Sequence, residues 1–338
     1  MNALRSSRFG GRSGHAAVAA VAALGLVAAA CGGGDDNSSQ SQGTTETTAP
    51  GPVALRVAYV PATTVLPLHI AKAQGFFAQN NLDVTLTEAA NISDIPATLG
   101  RQFDLALGTA TDLIRAGAAG VDVVQAAGNT NSTKDNPFVK LIVKPDSGIT
   151  DVTQLQGKTV GTPTLSGVIH AAVKYAAKQR GADPSKIGGV EAPTPNLPDQ
   201  LRAGRIDAVE ALEPIASQLI RAGNVAILQP FDAIGDPLAT NFWMAQGTWA
   251  NKNRDVVARF VTSLKQGEAF IAQNPTDARR ILQEYTKLPE AVASTVPLPT
   301  YNFDIRIGDL DKWVQVLKDI GEFSGQVDTK KLVMSAGK

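Results

Sequence analysis

Gly100-Arg101-Gln102-Phe103-Asp104-Leu105-Ala106 is followed by Leu113-Ile114-Arg115-Ala116-Gly117 and then by Val123-Val124-Gln125. Later the order returns: Gly204-Arg205-Ile206-Asp207-Ala208-Val209, then Leu219-Ile220-Arg221-Ala222-Gly223, then Ile227-Leu228-Gln229. Each copy reads as a helix end, a tight turn bearing an Asp, a strand, a short helix ending at Gly, and another strand. Two copies of one unit predict two related lobes. Asp104 and Asp207 read as turn or cap residues rather than catalysts.

Working outward, the flanks carry the same alternation. Val53 to Val60 is β-rich and stopped by Pro61, Leu66 to Asn80 reads as a helix with Gly75 weakening its middle, and Leu82 to Thr87 is the next strand. Strand, helix, strand at this spacing predicts parallel pairing and an α/β fold. Between the copies, Phe138 to Val143 and Lys158 to Gly161 read as strands. Ser166 to Arg180 reads as a helix with Ser166 as N-cap and Gly181 just past its end. Three amphipathic helices follow: Asp255 to Ala272, Ala278 to Tyr285 behind an Asn274-Pro275 start, and Asp309 to Ile320. Their apolar stripes read as core.

The chain has 338 residues, 43% of them hydrophobic and 18% charged, which suits one large or two medium globular domains. Residues 1–30 read as a secretory signal: Arg5, Arg8 and Arg12, then an apolar run from Ala16 to Ala30. That run is too short for a comfortable membrane span. It ends at Cys31, the only cysteine, with Ala28, Ala29 and Ala30 before it and glycines after it. This layout resembles the lipobox of bacterial lipoproteins, with Ala28 where Leu is usual. Cys31 is therefore the expected lipidation site. Residues 31–52, without an aromatic or branched aliphatic side chain, form a flexible tether with a reach of roughly 25 Å. Without the signal, 28 basic residues face 31 acidic ones, which gives no basic footprint for nucleic acid. A single cysteine also rules out an internal disulfide.

Several segments carry a family resemblance. They are LRVAYVPATTVLPLHIAKAQGFFAQNNLDVTL (Leu55 to Leu86), GRQFDLALGTATDLIRAGAAGVDVV (Gly100 to Val124), VKPDSGITDVTQLQGKTVGTP (Val143 to Pro163) and LRAGRIDAVEALEP (Leu201 to Pro214). In this order they resemble the periplasmic substrate-binding proteins of ABC importers, in the nitrate/sulfonate/taurine and thiamine-pyrimidine branch. The resemblance implies a type II periplasmic-binding-protein fold. Each of its two α/β lobes would be a mostly parallel sheet flanked by helices, with two crossover segments between them. The expected division is 53–141 plus 236–338 for lobe 1 and 142–235 for lobe 2, with crossovers near Lys140 to Lys144 and Gln229 to Thr240.

In open α/β sheets the ligand sits beyond the carboxyl ends of the strands. That rule selects the loops Pro61 to Leu66, Asn91 to Ile95, Gly108 to Asp112, Gly128 to Thr133, and Gly161 to Ser166. They are rich in Thr, Asn, Ser and Gly. Hydroxyls and free N–H groups at a helix start can hold an anion. Thr162, Thr164, Ser166 and Gly167 are the first choice for an anionic head group, with Thr109 and Thr111 facing them. Thr63, Thr64, Ala110, Asn129 and Asn241 complete the expected ligand-binding set. Glu213, before Pro214, lies where this branch often brings an acid to the cleft; an acid there points instead to a heterocycle or zwitterion. Phe242 and Trp243 read as stacking or core residues. His170 reads as structural, with a cleft-facing position as the alternative.

No catalytic motif, metal-spaced cluster or cofactor fingerprint is present. The expectation is a non-enzymatic, monomeric, lipid-anchored extracytoplasmic receptor. It would capture a small anionic or zwitterionic ligand, sulfonate- or nitrate-like, by lobe closure. It would need no cofactor, metal or nucleic acid, and would pass its ligand to an ABC permease and its ATPase. Three alternatives stay open: a thiamine-pyrimidine-type heterocycle binder, a sensory lipoprotein without a transporter, and an enzyme on the same fold.

Overall fold

The computed structural model describes residues 51–89 and 92–335. The expected signal, Cys31 and nearly all of the tether lie outside the described residues. The first lobe opens with β1 (Val53–Tyr59), α1 (Leu66–Ala73), α2 (Phe76–Gln79) and β2 (Leu82–Glu88). The single helix expected over Leu66 to Asn80 is thus two. Gly75 breaks it at φ +72°, a left-handed conformation that glycine adopts without steric cost. β3 (Leu105–Thr109), α3 (Ala110–Ala118) and β4 (Val123–Ser132) follow.

The chain then enters a second sheet. It holds β5 (Val139–Val143), β6 (Thr159–Thr162), α4 (Val168–Gln179), β7 (Gly188–Glu191), α5 (Leu197–Arg202), β8 (Ala208–Leu212), α6 (Ile215–Arg221) and β9 (Val225–Leu228). It returns through β10 (Leu238–Gln246), α7 (Gly247–Lys252), α8 (Arg254–Gln273), α9 (Pro275–Thr286), α10 (Glu290–Ala293), β11 (Thr300–Tyr301) and α11 (Ile307–Asp319). The connections between the sheets run through residues 133–138 and 229–237. The first lies a few residues before its expected place, because Lys140 to Val143 are already strand β5 of the second sheet.

The strand orders are β11-β4-β10-β3-β1-β2 and β7-β6-β8-β5-β9. The strand–helix–strand halves pair in parallel (β1 with β2 and β3; β6 with β7 and β8). The crossover strands enter antiparallel: β10 against β3 and β4, and β5 against β8 and β9. Both sheets are therefore mixed.

The half-repeat is visible in hydrogen bonds. At the start of β3, Asp104 N–H donates to the Arg56 carbonyl at 2.9 Å, and its carboxylate accepts from Arg56 N–H at 2.8 Å. At the start of β8, Asp207 N–H donates to the Thr159 carbonyl at 2.8 Å, and its carboxylate accepts from Thr159 N–H at 2.8 Å. Each Asp thus staples its strand to the parallel neighbour. The glycines that open the two copies, Gly100 and Gly204, both have positive φ.

Apolar burial explains the layers. Leu55, Val57, Leu105, Trp243, Phe260 and Leu264 fill the first lobe, and Leu141, Val160, Val173 and Ala208 one face of the second. Phe242 and Trp243 are fully packed, Trp243 edge-on to Phe260 at 5.2 Å, so neither stacks on a ligand. A third cluster joins the lobes through Leu113, Phe138, Val168, Phe231, Trp313 and Leu317. Beside it, Glu322 ion-pairs with Arg115 of α3 at 2.9 Å and with Lys174 of α4 at 3.0 Å. Among the described residues, no helix is long and apolar enough to cross a membrane.

Candidate functional site

A cavity of about 910 Å³ lies between the two sheets, at the carboxyl ends of the parallel strands. The first lobe contributes Thr63, Thr64, Leu107, Thr109, Asp112 and Asn241. The second contributes Thr162, Thr164, Gly167, Glu191, Glu213 and Gln218. Phe138 and Phe231, one from each crossover, meet beside it with ring centroids 6.0 Å apart.

The corner after β1 is built by aromatic residues distant in sequence. Tyr285 Oη donates to the Ala62 carbonyl and Tyr301 Oη to the Thr63 carbonyl, each at 2.7 Å. Burial raises both phenol pKa values well above the ordinary range, so both stay protonated donors. His69 stacks on Tyr285 at 3.7 Å and meets Tyr59 edge-on at 4.8 Å. Desolvation lowers its pKa to about 4, and its buried Nε2 has no hydrogen-bond partner. Asn129 is the next brace. Its Nδ2 donates to the Thr64 carbonyl at 3.0 Å and to Asn241 Oδ1 at 2.8 Å. Thr130 Oγ1 also donates to Asn241 Oδ1, at 2.7 Å, and Asn241 Nδ2 has no partner among the described residues.

Of the expected ligand residues, the structure brings Thr63, Thr64, Thr109, Thr162, Thr164, Glu213 and Asn241 to the cavity. Ala110, Thr111, Asn129 and Ser166 are not on its walls. Ala110 and Thr111 are fully buried behind it, and Asn129 acts as the brace just described. Ser166 is not the N-cap of α4. A turn closed by Gly167 N–H to the Thr164 carbonyl at 3.0 Å intervenes, and extended Gly167 takes the cap position. The Ser166 carbonyl instead accepts from Arg115 across the lobes at 2.7 Å. His170 lies off the cavity, buried, with Nδ1 2.7 Å from Glu210 Oε1.

The charges are one-sided. Asp112, Glu213, Glu88 and Glu191 line the cavity, and among the described residues no Lys or Arg does. Glu213 is compensated: Oε1 accepts from Lys140 Nζ at 3.0 Å and Oε2 from Ser217 N–H at 3.1 Å. Glu191 accepts from Leu165 N–H at 2.9 Å. Asp112 is 8% exposed and has no ion pair among the described residues. Burial raises its pKa, against hydrogen bonds from Thr109 and Ser93 and the field of Arg115. Thr109 Oγ1 donates to Asp112 Oδ2 at 2.5 Å.

Glu88, Asp112, Glu191 and Gln218 line the cavity outside the expected ligand set, although Asp112 closes one of the loops selected above. For Asp112 and Gln218 the signal is the repeat itself, since each directly precedes a copy of Leu-Ile-Arg-Ala-Gly. Among the described residues, no group of three or more His, Cys, Asp or Glu could hold a metal ion.

Comparison with known proteins adds three findings. The family profile described as NMT1/THI5 like matches residues 62–278. The 4-amino-5-hydroxymethyl-2-methylpyrimidine phosphate synthase THI13 of Saccharomyces cerevisiae is 29% identical over 145 residues, 42% of this chain and 41% of the yeast protein. The chain thus spans about two-fifths of the length of the curated relatives it matches. Among solved structures, the periplasmic aliphatic sulphonate binding protein SsuA from Escherichia coli superposes with a TM-score of 0.71 at 17% identity, over 85% of this chain and 95% of that one. The periplasmic nitrate-binding protein NrtA from Synechocystis PCC 6803 gives 0.68 at 16%, over 83% and 85%. These two likenesses establish the periplasmic-binding-protein fold.

Proposed function

Because the chain belongs to the NMT1/THI5-like family, we propose that it is the extracytoplasmic solute-binding component of an ABC importer. Its two lobes, divided as the sheets divide, close on a neutral or cationic heterocycle that offers hydrogen-bond donors. The aminopyrimidine class fits, in keeping with the pyrimidine in the names of the yeast relatives. A lipid on Cys31 and the tether hold the body beside the permease and its ATPase.

One observation carries the ligand class: a cavity lined by four carboxylates and no Lys or Arg. The Thr-rich loops and the α4 start favour the sulfonate or nitrate first expected. Such an anion would nevertheless share the cavity with the carboxyls of Glu88, Asp112, Glu191 and Glu213, and like charges in one site repel. The reading is of a binder rather than a synthase. The fold shared with SsuA and NrtA, both named as binding proteins, supports that choice.

A ligand that binds only the native state raises its melting temperature. Thermal unfolding with 4-amino-5-hydroxymethyl-2-methylpyrimidine, taurine and nitrate tests the class, with a rise expected for the pyrimidine alone. Consumption of the pyrimidine during incubation would indicate an enzyme. Release of Cys31→Ser from the membrane fraction is the expected result for the anchor, and its retention there would remove it.

A further inference from the structure

Asp112 is in the first turn of α3, after β3, and Gln218 is in α6, after β8. Both border the cavity, from opposite lobes. Asp112 is held by neutral donors, and both arms of nearby Arg115 are committed elsewhere, to the Ser166 carbonyl and to Glu322. The carboxyl therefore keeps accepting capacity toward the cavity. The Gln218 side-chain amide has no hydrogen-bond partner among the described residues, so it brings one acceptor and two donors to the opposite wall.

We infer that Asp112 and Gln218 are a specificity-determining pair, one from each copy of the repeat. Asp112 accepts from the exocyclic amino group of a heteroaromatic ring, and Gln218 pairs with a ring nitrogen or a second donor of the same ligand as the lobes close. This inference rests on the binding role proposed above. It goes further by assigning selection to the carboxyl that closes the Gly108 to Asp112 loop and to an amide of α6, rather than to the threonines. A carboxylate facing the amino group would also select against anions, because a sulfonate at that point finds an acceptor where it needs a donor.

The test is calorimetric titration of the full chain with 4-amino-5-hydroxymethyl-2-methylpyrimidine, with taurine and nitrate as anionic arms. Asp112→Asn keeps the side-chain shape and removes the charge; it should weaken pyrimidine binding roughly tenfold or more, as expected for a hydrogen bond to a charged group. Gln218→Ala should weaken it roughly threefold to tenfold, as for a neutral hydrogen bond. Asp199→Asn, on the surface of α5, should bind like the parent chain. Melting temperatures of all variants identify any that fail to fold, and Gln218, half-buried, serves if Asp112→Asn does. Pyrimidine binding at parental strength in both folded variants overturns the inference and leaves the proposed function standing. A parent chain that binds only taurine or nitrate, or none of the three, overturns the proposed ligand class and this inference with it.

Discussion

Asp112 and Gln218 stand directly before the two copies of Leu-Ile-Arg-Ala-Gly, and both face the same interlobe cavity. A duplicated strand–turn–helix unit puts the same corner at the carboxyl end of a strand in each lobe. When the lobes are set face to face, the two corners oppose each other. The chemistry at the corners differs, an acid in one copy and an amide in the other, so the site is asymmetric although its scaffold is repeated.

The duplication also predicts where stability resides. Asp207 and Asp104 bind the backbone of the neighbouring parallel strand through both main chain and carboxylate. Asp207→Ala should cost about 1–3 kcal/mol, because it strips a partner from the Thr159 N–H. Asp104→Ala should cost a similar amount, with the extra Arg56 pair adding little because Arg56 is half-exposed. Urea unfolding measures both. A loss in one copy only would show that the two staples are not equivalent.

Lys140 and Glu213 give a second prediction. The Glu213 side chain is fully buried and its charge is met by Lys140 and by the start of α6. Lys140→Met leaves a buried carboxylate short of its cation and should destabilise the protein by about 2–4 kcal/mol. Adding Glu213→Gln should recover much of that, and a double-mutant cycle on the unfolding free energy reads the coupling. Additive losses would mean that the two side chains do not depend on each other.

His69 sets a pH dependence. Its folded-state pKa is about 4, below an ordinary value near 6.5. The unfolded chain therefore takes up this proton first as pH falls. The stability associated with neutral His69 is complete above about pH 6.5 and is lost progressively toward pH 4, by at most about 3 kcal/mol. His69→Gln should flatten the urea-unfolding free energy over that window relative to the parent chain. An unchanged slope would show that His69 is not the group responsible. Because Tyr285 stacks on His69 and holds the Ala62 carbonyl, the same window should loosen the cavity corner.

Much of this was legible in the sequence. The half-repeats gave the two lobes, and the strand-end rule led to Thr63, Thr64, Thr109, Thr162 and Thr164 at the cavity. Glu213 emerged from a block resemblance and Asn241 from its place after a crossover. What escaped was of two kinds. Tyr285 and Tyr301 reach the corner after β1 from more than two hundred residues away, a tertiary relation no local pattern encodes. Ser166 was misassigned because a Ser before an apolar run looks like an N-cap, whereas the Thr164–Gly167 turn moves the helix start downstream. The sequence shows hydroxyl-rich loops free of Lys and Arg, but the gathering of Glu88, Asp112, Glu191 and Glu213 around them shows only once the chain is folded.

The account rests on two lobes closing over an aminopyrimidine-class ligand. Small-angle X-ray scattering of the Cys31→Ser chain measures this directly. A fall in the radius of gyration on saturation with 4-amino-5-hydroxymethyl-2-methylpyrimidine, with no change for taurine or nitrate, is the predicted result. No change with the pyrimidine, or compaction with either anion in its place, would contradict it.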